Sequence, residues 1–338
     1  MREIEELKSR LHGAGISFGG MRVLVTGGAG FLGSWICEYL LSDGASVTCV
    51  DNFASGLRSN VSHLMQHEGF TLVEHDISEP LGLSQDYDIV MHLASRASPF
   101  EFERYPIEIL MANTMGTVNA LEIARRSEAR LLYASTSEVY GDPAPEFVPT
   151  PESYNGNVST TGPRSCYDEA KRAGEAFVMA YRRQYGMDTR IVRIFNTYGP
   201  RMRSDDIYGR VVPRFIEQAL TGKPITVFGT GEQTRSFTYV TDEVEGILRL
   251  AYLEEAEGEV VNIGSNRETR IIELAELVKR LTGSDSEITF HPLPKDDPKR
   301  RAPDITKARR LLGWEPKVSL EEGLKRTIAW FEERISRE

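Results

Sequence analysis

A chain of 338 residues, 40% hydrophobic and 27% charged, can fill the core of a large α/β body with a smaller lobe and is too apolar to be disordered. Its net charge of −10 argues against nucleic acid or an anionic membrane as the main partner, because both need a basic surface. The three cysteines, Cys37, Cys49 and Cys166, are too few and scattered for a disulfide framework or a metal cluster, and they fit a reducing, cytoplasmic setting.

The first twenty residues, MREIEELKSRLHGAGISFGG, alternate acids with bases and lack the apolar core of a secretory signal. They read as a short amphipathic helical extension ending in a glycine-rich linker. No later run reaches the ~18 apolar residues that cross a bilayer. Residues 21–26 (MRVLVT) predict a buried strand, the following FLGSWICEYLLSDG a helix, and residues 45–51 a second strand. Together they form the βαβ unit of a parallel sheet. Residues 70–75, 89–93, 130–135 and 189–195 continue the strand series, and residues 118–126 and 167–185 are helical. The fold class is therefore a Rossmann-type doubly wound sheet over residues 21–195, with a return segment near 237–262. Past Asn196 the chain turns to loops rich in Gly, Pro and Arg, with helices at 212–220, 243–252, 271–281 and 320–335. Residues 196–236 and 263–338 are expected to form a smaller substrate-binding lobe.

Strand 21–26 runs into Gly27-Gly28-Ala29-Gly30-Phe31-Leu32-Gly33. Gly27 permits the tight turn, Gly30 lets the backbone approach a pyrophosphate, and Gly33 lets the helix pack on the strand. The helix N-terminus, with Phe31 and Leu32, then offers free N–H groups to phosphate. Asp51, followed by Asn52, ends the second strand, where a carboxylate accepts ribose hydroxyls and repels a 2′-phosphate. This favours NAD over NADP. Asp76, Ile77, Leu93 and Ala94 follow later strands and are placed to wall the dinucleotide.

Tyr167 and Lys171 form YxxxK, which puts both side chains on one helix face. A phenol is a poor base at neutral pH unless a cation stabilises its anion, a task for Lys171 and a nicotinamide. Thr136, directly after strand 130–135, supplies the hydroxyl partner. An anionic substrate is compatible with the acidic chain if arginines gather locally, and Arg164, Arg193, Arg201, Arg203, Arg210 and Arg235 are the candidates.

The glycine loop, the hydroxyl at a strand end and YxxxK, in that order, resemble the extended short-chain dehydrogenase/reductases. STSEVYGDP, GPRSCYDEAKR, RIFNTYGPRM, GRVVPRFIEQAL, GTGEQTRSFTYV and LLGWEP carry the likeness further. Nearly the whole chain after residue 20 resembles the UDP-glucuronic acid decarboxylases (UDP-xylose synthases). Glu138 discriminates: Ser137-Glu138 keeps the glutamate of the Asp-Glu pair of 4,6-dehydratases without its aspartate, and 4-epimerases need no such acid. The resemblance implies that Tyr167, helped by Thr136, removes the C4 hydroxyl proton while NAD⁺ takes the C4 hydride. The resulting β-keto acid loses CO₂, and Glu138 and Arg235 orient the carboxylate and a proton-delivering water. It places Asn196 near the diphosphate, Arg210, Val211, Arg214 and Arg235 on the nucleotide side, and Ser137 and Arg96 at the sugar. It also implies a two-fold dimer formed by the helices around Val118 and Tyr167. Arg96 and Met111 depart from the family's Pro and Lys, and SPFEFERYP replaces a Tyr-rich loop; Arg96 could supply the cation that Met111 does not. A UDP-glucuronate or UDP-glucose 4-epimerase is the other enzymatic reading. A non-catalytic NAD-binding regulator fits less well, because Tyr167 and Lys171 are both retained.

Overall fold

The computed structural model describes residues 2–204, 210–292 and 300–336. The end of the arginine-rich loop after Ser204 and most of the proline-rich basic stretch after Pro292 lie outside the described residues. Helix α1 (Arg2–His12) is followed by β1 (Arg22–Thr26), α2 (Phe31–Ser42), β2 (Ser46–Asp51), β3 (Phe70–Glu74), β4 (Ile89–His92), α3 (Pro99–Arg104), α4 (Pro106–Arg126) and β5 (Arg130–Thr136). Next come α5 (Ser165–Tyr185), β6 (Thr189–Ile194), β7 (Thr197–Tyr198), α6 (Val211–Leu220), β8 (Ile225–Phe228), β9 (Thr234–Ser236), β10 (Thr238–Tyr239), α7 (Val240–Tyr252) and β11 (Val260–Ile263). The chain ends with β12 (Glu268–Arg270), α8 (Ile271–Thr282), β13 (Ile288–His291), β14 (Arg300–Arg301), α9 (Thr306–Leu312) and α10 (Leu320–Ile335).

Seven strands pair in parallel in the order β11-β6-β5-β4-β1-β2-β3. This is the doubly wound sheet that the sequence predicts. Helices cover both faces, which is why strands such as β1 and β5 are near-continuously apolar. The chain runs outward from β1 to β3 and returns to β4, so a crevice opens beyond the C-terminal ends of β1 and β4. Three small sheets, β10-β7, β12-β9-β14 and β13-β8, build the rest of the cleft wall.

Helix α4 begins at Pro106, far ahead of the predicted residue 118, and α3 precedes it where a loop was expected. The reason is an inverted pattern. Ile107, Met111 and Met115, spaced four apart, are exposed, whereas Asn113, Gly116 and Thr117 are buried. A Cβ at Gly116 would stand 3.0 Å from Ile77 Cγ2, so the glycine that weakens the helical pattern lets α4 lie close to the loop after β3.

The N-terminal segment is a structural member rather than an appendage. Ile4, Leu7 and Leu11 of α1 are buried in the main core, and its polar face meets α7, a helix buried along nearly its whole length. Arg10 Nη1 donates to Asp242 Oδ1 at 2.7 Å and to Glu245 Oε2 at 3.1 Å. Arg249 and Lys317 also reach Glu245, and the Lys317 and Val318 backbone N–H groups donate to Asp242. Two fully buried carboxylates are thereby compensated, as burial requires. Arg10→Ala should lower unfolding free energy by about 1–3 kcal/mol, read from urea denaturation; an unchanged midpoint would mean that the Arg10 pairs add nothing to stability.

Candidate active site

At the tip of β1 the chain turns at Gly27, whose φ of 71° suits glycine. A Cβ there would stand 2.7 Å from Ala94 Cα, and one at Gly33 would stand 2.2 Å from the Gly27 carbonyl oxygen. The loop is folded this tightly so that α2 points its N-terminus, at Gly30, Phe31 and Leu32, into a cleft of 470 Å³. Asp51 ends β2 in the same cleft. It accepts N–H bonds from Ala29 at 2.9 Å and Phe53 at 2.8 Å. Burial raises its pKa, and these two backbone donors pull it back. Asn52 donates to Asp76 at 2.8 Å, and Asn52, Asp76, Ile77, Leu93 and Ala94 all line the cleft. Free helix N–H groups for phosphate beside a carboxylate for a ribose form a cradle that fits a dinucleotide. Gly28, which the sequence reading left without a role, packs against Cys49; a Cβ there would come 2.5 Å from its sulfur.

The other half of the cleft holds the reactive groups. Thr136 closes β5, and Tyr167 and Lys171 face it from α5. Burial pushes the Tyr167 phenol up, against the pull of the neighbouring Thr136 hydroxyl. The Phe102 ring stacks on Tyr167 with centroids 5.0 Å apart. Lys171 Nζ donates to the Ala134 carbonyl at 2.7 Å and lies 5.9 Å from the centroid of the Tyr167 ring. Burial pushes the lysine down to about 7, against the pull of Glu175. The lowered phenol pKa expected from the sequence is therefore not produced by these side chains alone; desolvation outweighs them.

Glu138 sits in a short turn after Thr136, whose hydroxyl accepts from the Glu138 N–H at 3.3 Å. Its carboxylate is gripped from both sides. Arg164 Nη2 donates to Oε2, Arg301 Nη2 donates to the same oxygen at 2.9 Å, and Arg301 Nη1 donates to Oε1. Burial alone would raise this carboxyl, but Arg301 and Arg164 hold it down to about 2. It is a permanent anion at neutral pH. Arg235, expected at the same end of the sugar as Glu138, stands beside Arg301 in the β14–β9 register, and its Nη1 donates to the Thr234 carbonyl at 2.8 Å. Arg301 was missed: its one sequence signal is the RRAP after the basic stretch, and only the pairing of β14 with β9 brings it to the cleft.

Ser137, Asn196, Arg210, Val211 and Arg235 line the same cleft. Asn196 Oδ1 is buried with no hydrogen-bond partner among the described residues, an acceptor aimed at what fills the site. Arg214 donates to the Thr226 carbonyl at 3.1 Å and lies over Phe228. Arg96 lines the cleft but is paired with Glu101 at 2.6 Å and stacked on Tyr105. Arg201 pairs with Glu38 and lies over Trp35, and Arg203 donates to the Ser55 carbonyl. Two expectations need correction. Arg193 turns away, forking onto Glu175 at 2.9 and 2.7 Å, so its charge serves packing. Met111 lies on the outer face of α4, and the α4 residues at the cleft are Glu108 and Ala112. Cys166 is a packed side chain directed at the Phe102 carbonyl.

Residues 23–264 match the NAD dependent epimerase/dehydratase family. The chain is similar to UDP-glucuronic acid decarboxylase 1 of Xenopus tropicalis, with 51% identity over 314 residues, 93% of this chain and 73% of that protein. It is similar to UDP-glucuronic acid decarboxylase 2 of Arabidopsis thaliana, with 47% identity over 324 residues, 95% of this chain and 70% of that protein. Among solved structures it resembles the Bacillus cereus UDP-glucuronic acid 4-epimerase in complex with UDP-glucuronic acid and NAD, with TM-score 0.81 and 30% identity, covering 93% of this chain and 100% of the other. It also resembles the Thermotoga maritima UDP-glucose 4-epimerase with UDP-glucose, with TM-score 0.83 and 34% identity, again covering 93% and 100%. Gly33→Ala should weaken dinucleotide retention at least roughly tenfold, measured as dinucleotide released on denaturing the purified protein; full retention would contradict the cradle.

Proposed function

Because the chain belongs to the NAD-dependent epimerase/dehydratase family, we propose that it is a UDP-glucuronate decarboxylase that forms UDP-xylose and CO₂ and restores its NAD in each turnover. The observation that carries this reading is the Glu138 carboxylate clamped by Arg164 and Arg301 next to Thr136 and Tyr167. Two guanidinium groups at the sugar end of a cleft suit a substrate bearing a carboxylate, and decarboxylases are the curated relatives that cover most of the chain.

Bound NAD supplies the acceptor and donor of hydride at C4. Tyr167, paired with Thr136, takes the C4 hydroxyl proton and later returns it. Lys171, anchored on the Ala134 carbonyl, keeps N–H donors for the nicotinamide ribose. The C4 ketone is a sink for the electron pair of the C5–C6 bond, and Tyr167 and Thr136 hydrogen-bond its oxygen as charge develops there. Glu138, ionised throughout, orients Arg301, Arg164 and a water at C5 but does not itself supply the proton. Asn196, Arg210, Val211 and Arg235 hold the nucleotide diphosphate, with Arg96 and Ser137 toward the sugar.

Assembly as a homodimer is part of the same reading. Its support is the exposed apolar stripe of Ile107, Met111 and Met115 on α4 beside the exposed Phe177 of α5. Met115→Glu should give a monomer in sedimentation velocity; a wild-type monomer would refute the dimer. A reducing, cytoplasmic location fits three cysteines that are all free and buried.

Incubation with UDP-glucuronate, with and without added NAD, tests the activity, with the product read by NMR. Loss of C6 supports decarboxylation; an axial C4 hydroxyl with C6 kept makes the chain a 4-epimerase. Glu138→Gln cannot anchor two guanidinium groups and should slow CO₂ release on the order of 100-fold. Unchanged turnover would remove Glu138 from the mechanism.

A further inference from the structure

Behind the Tyr167–Lys171 pair, α5 carries a carboxylate that the mechanism has not used. Glu175 stands one turn beyond Lys171, so both side chains lie on one helix face. Ser135 on β5 and Arg193 on β6 are register partners, and both reach Glu175. The Ser135 hydroxyl donates to Oε1 at 2.6 Å, and Arg193 donates to Oε1 from Nε at 2.9 Å and to Oε2 from Nη2 at 2.7 Å. Accepting in all three bonds, Glu175 is an anion fixed in place. Helix and strand are pressed together at this level: a Cβ on Gly174 would stand 2.1 Å from the Tyr133 hydroxyl oxygen. The three consecutive residues Ala134, Ser135 and Thr136 thus stand by Lys171, Glu175 and Tyr167. The other groups facing the Lys171 amine are His92 from β4, Tyr133 from β5 and Tyr167 from α5. Burial, then the Lys171 charge, push His92 down to about 3, and burial raises both phenols, so all three are neutral at physiological pH.

We propose that Glu175 is a positioning residue that acts through Lys171: its fixed charge offsets part of the burial of the amine, so that Lys171 holds its proton while Tyr167 exchanges its own with the C4 hydroxyl. The proposal rests on the redox half of the decarboxylase reading, in which a protonated Lys171 holds the nicotinamide ribose and favours the phenolate. Burial drives Lys171 down to about 7, and Glu175 opposes that fall. The positive ring of bound NAD works against an ammonium as well, so the counter-charge matters most before hydride transfer. Arg193 moderates the effect. It cancels part of the field of Glu175, and it spares the fold a bare carboxylate in a dry site, which would be costly. The ion pair therefore leaves a graded pull on Lys171, and its strength depends on both partners.

Substitutions at the two partners should act with opposite signs. Glu175→Gln still accepts from Ser135 and Arg193 through its amide oxygen but carries no charge, so Lys171 should lose its proton at lower pH. The alkaline limb of kcat should then move down by about one pH unit, a roughly tenfold loss of rate above the limb. KM for UDP-glucuronate should stay within about twofold. Arg193→Gln leaves the anion without its counter-ion, and the limb should move up. Glu175→Asp keeps the charge and should return the limb to its original place. The same order should appear without turnover. In NAD-loaded protein containing isotope-labelled lysine, the Lys171 resonance, identified by its loss in Lys171→Met, should titrate lower in Glu175→Gln and higher in Arg193→Gln. Arg193 also bonds the Tyr140 hydroxyl and the Glu152 carbonyl; if Arg193→Gln does not fold, Glu175→Gln and Glu175→Asp decide the matter by themselves. A purely structural role predicts a lower kcat in both variants with the limb and the resonance unmoved, and that result, or shifts of one sign, would overturn the proposal. So would Glu175→Asp titrating as Glu175→Gln does. The two readings fail separately. A chain that leaves UDP-glucuronate intact loses the decarboxylase reading, while the resonance still decides whether Glu175 governs Lys171. A decarboxylase whose Lys171 ignores these substitutions loses only the role of Glu175.

Discussion

One carboxylate, that of Glu138, ties together three parts of the chain that are far apart in sequence. The turn after β5 carries it, the start of α5 brings Arg164, and a two-residue strand near the C-terminus brings Arg301. This contact ties β14 to the turn after β5, in addition to its pairing with β9, the Arg300–Glu268 ion pair and the backbone bonds of Ala302 and Asp304 to Thr150. An ion pair so shielded contributes little net stability, since desolvating the charges offsets most of their attraction. Its value lies in geometry: two guanidinium groups are fixed beside Thr136 and Tyr167 before any substrate arrives.

The same economy governs the rest of the cleft. Tyr167 lies under Phe102, and Lys171 is buried on the Ala134 carbonyl, so desolvation pushes the phenol up and the ammonium down. Neither group is in its reactive form by virtue of its protein neighbours. A dry site keeps both neutral forms within reach, and the positive nicotinamide of bound NAD would favour the phenolate. Water exclusion and pKa control here have one cause.

The cofactor half was legible because its signals are local. Gly27, Gly30, Gly33 and Asp51 follow one strand–turn–helix–strand unit, in which Gly30 and Gly33 answer to the Gly27 carbonyl, while Gly27 itself answers to Ala94 after β4. The YxxxK pair was legible for the same reason. The partner of Glu138 was not: Arg301 reaches it only through strand pairing, and one arginine in a basic run looks like another. Arg193 misled in the opposite direction, since nothing in the sequence says that Glu175 will take its charge. Helix α4 was read twelve residues short because its apolar stripe faces outward. A sequence shows that a face is apolar before it shows what covers that face.

Helix α1 carries a consequence for how the chain is made. Arg10 lies 232 positions before Asp242, so during synthesis the first helix leaves the ribosome long before its acidic partners exist. Its apolar side can already pack on α2, where Lys8 reaches the Ser42 carbonyl and His12 reaches Asp43, but Arg10 meets Asp242 and Glu245 only once α7 has followed. The helix is thus seated in two stages, and a nascent chain stalled short of residue 242 would hold it by its α2 contacts alone.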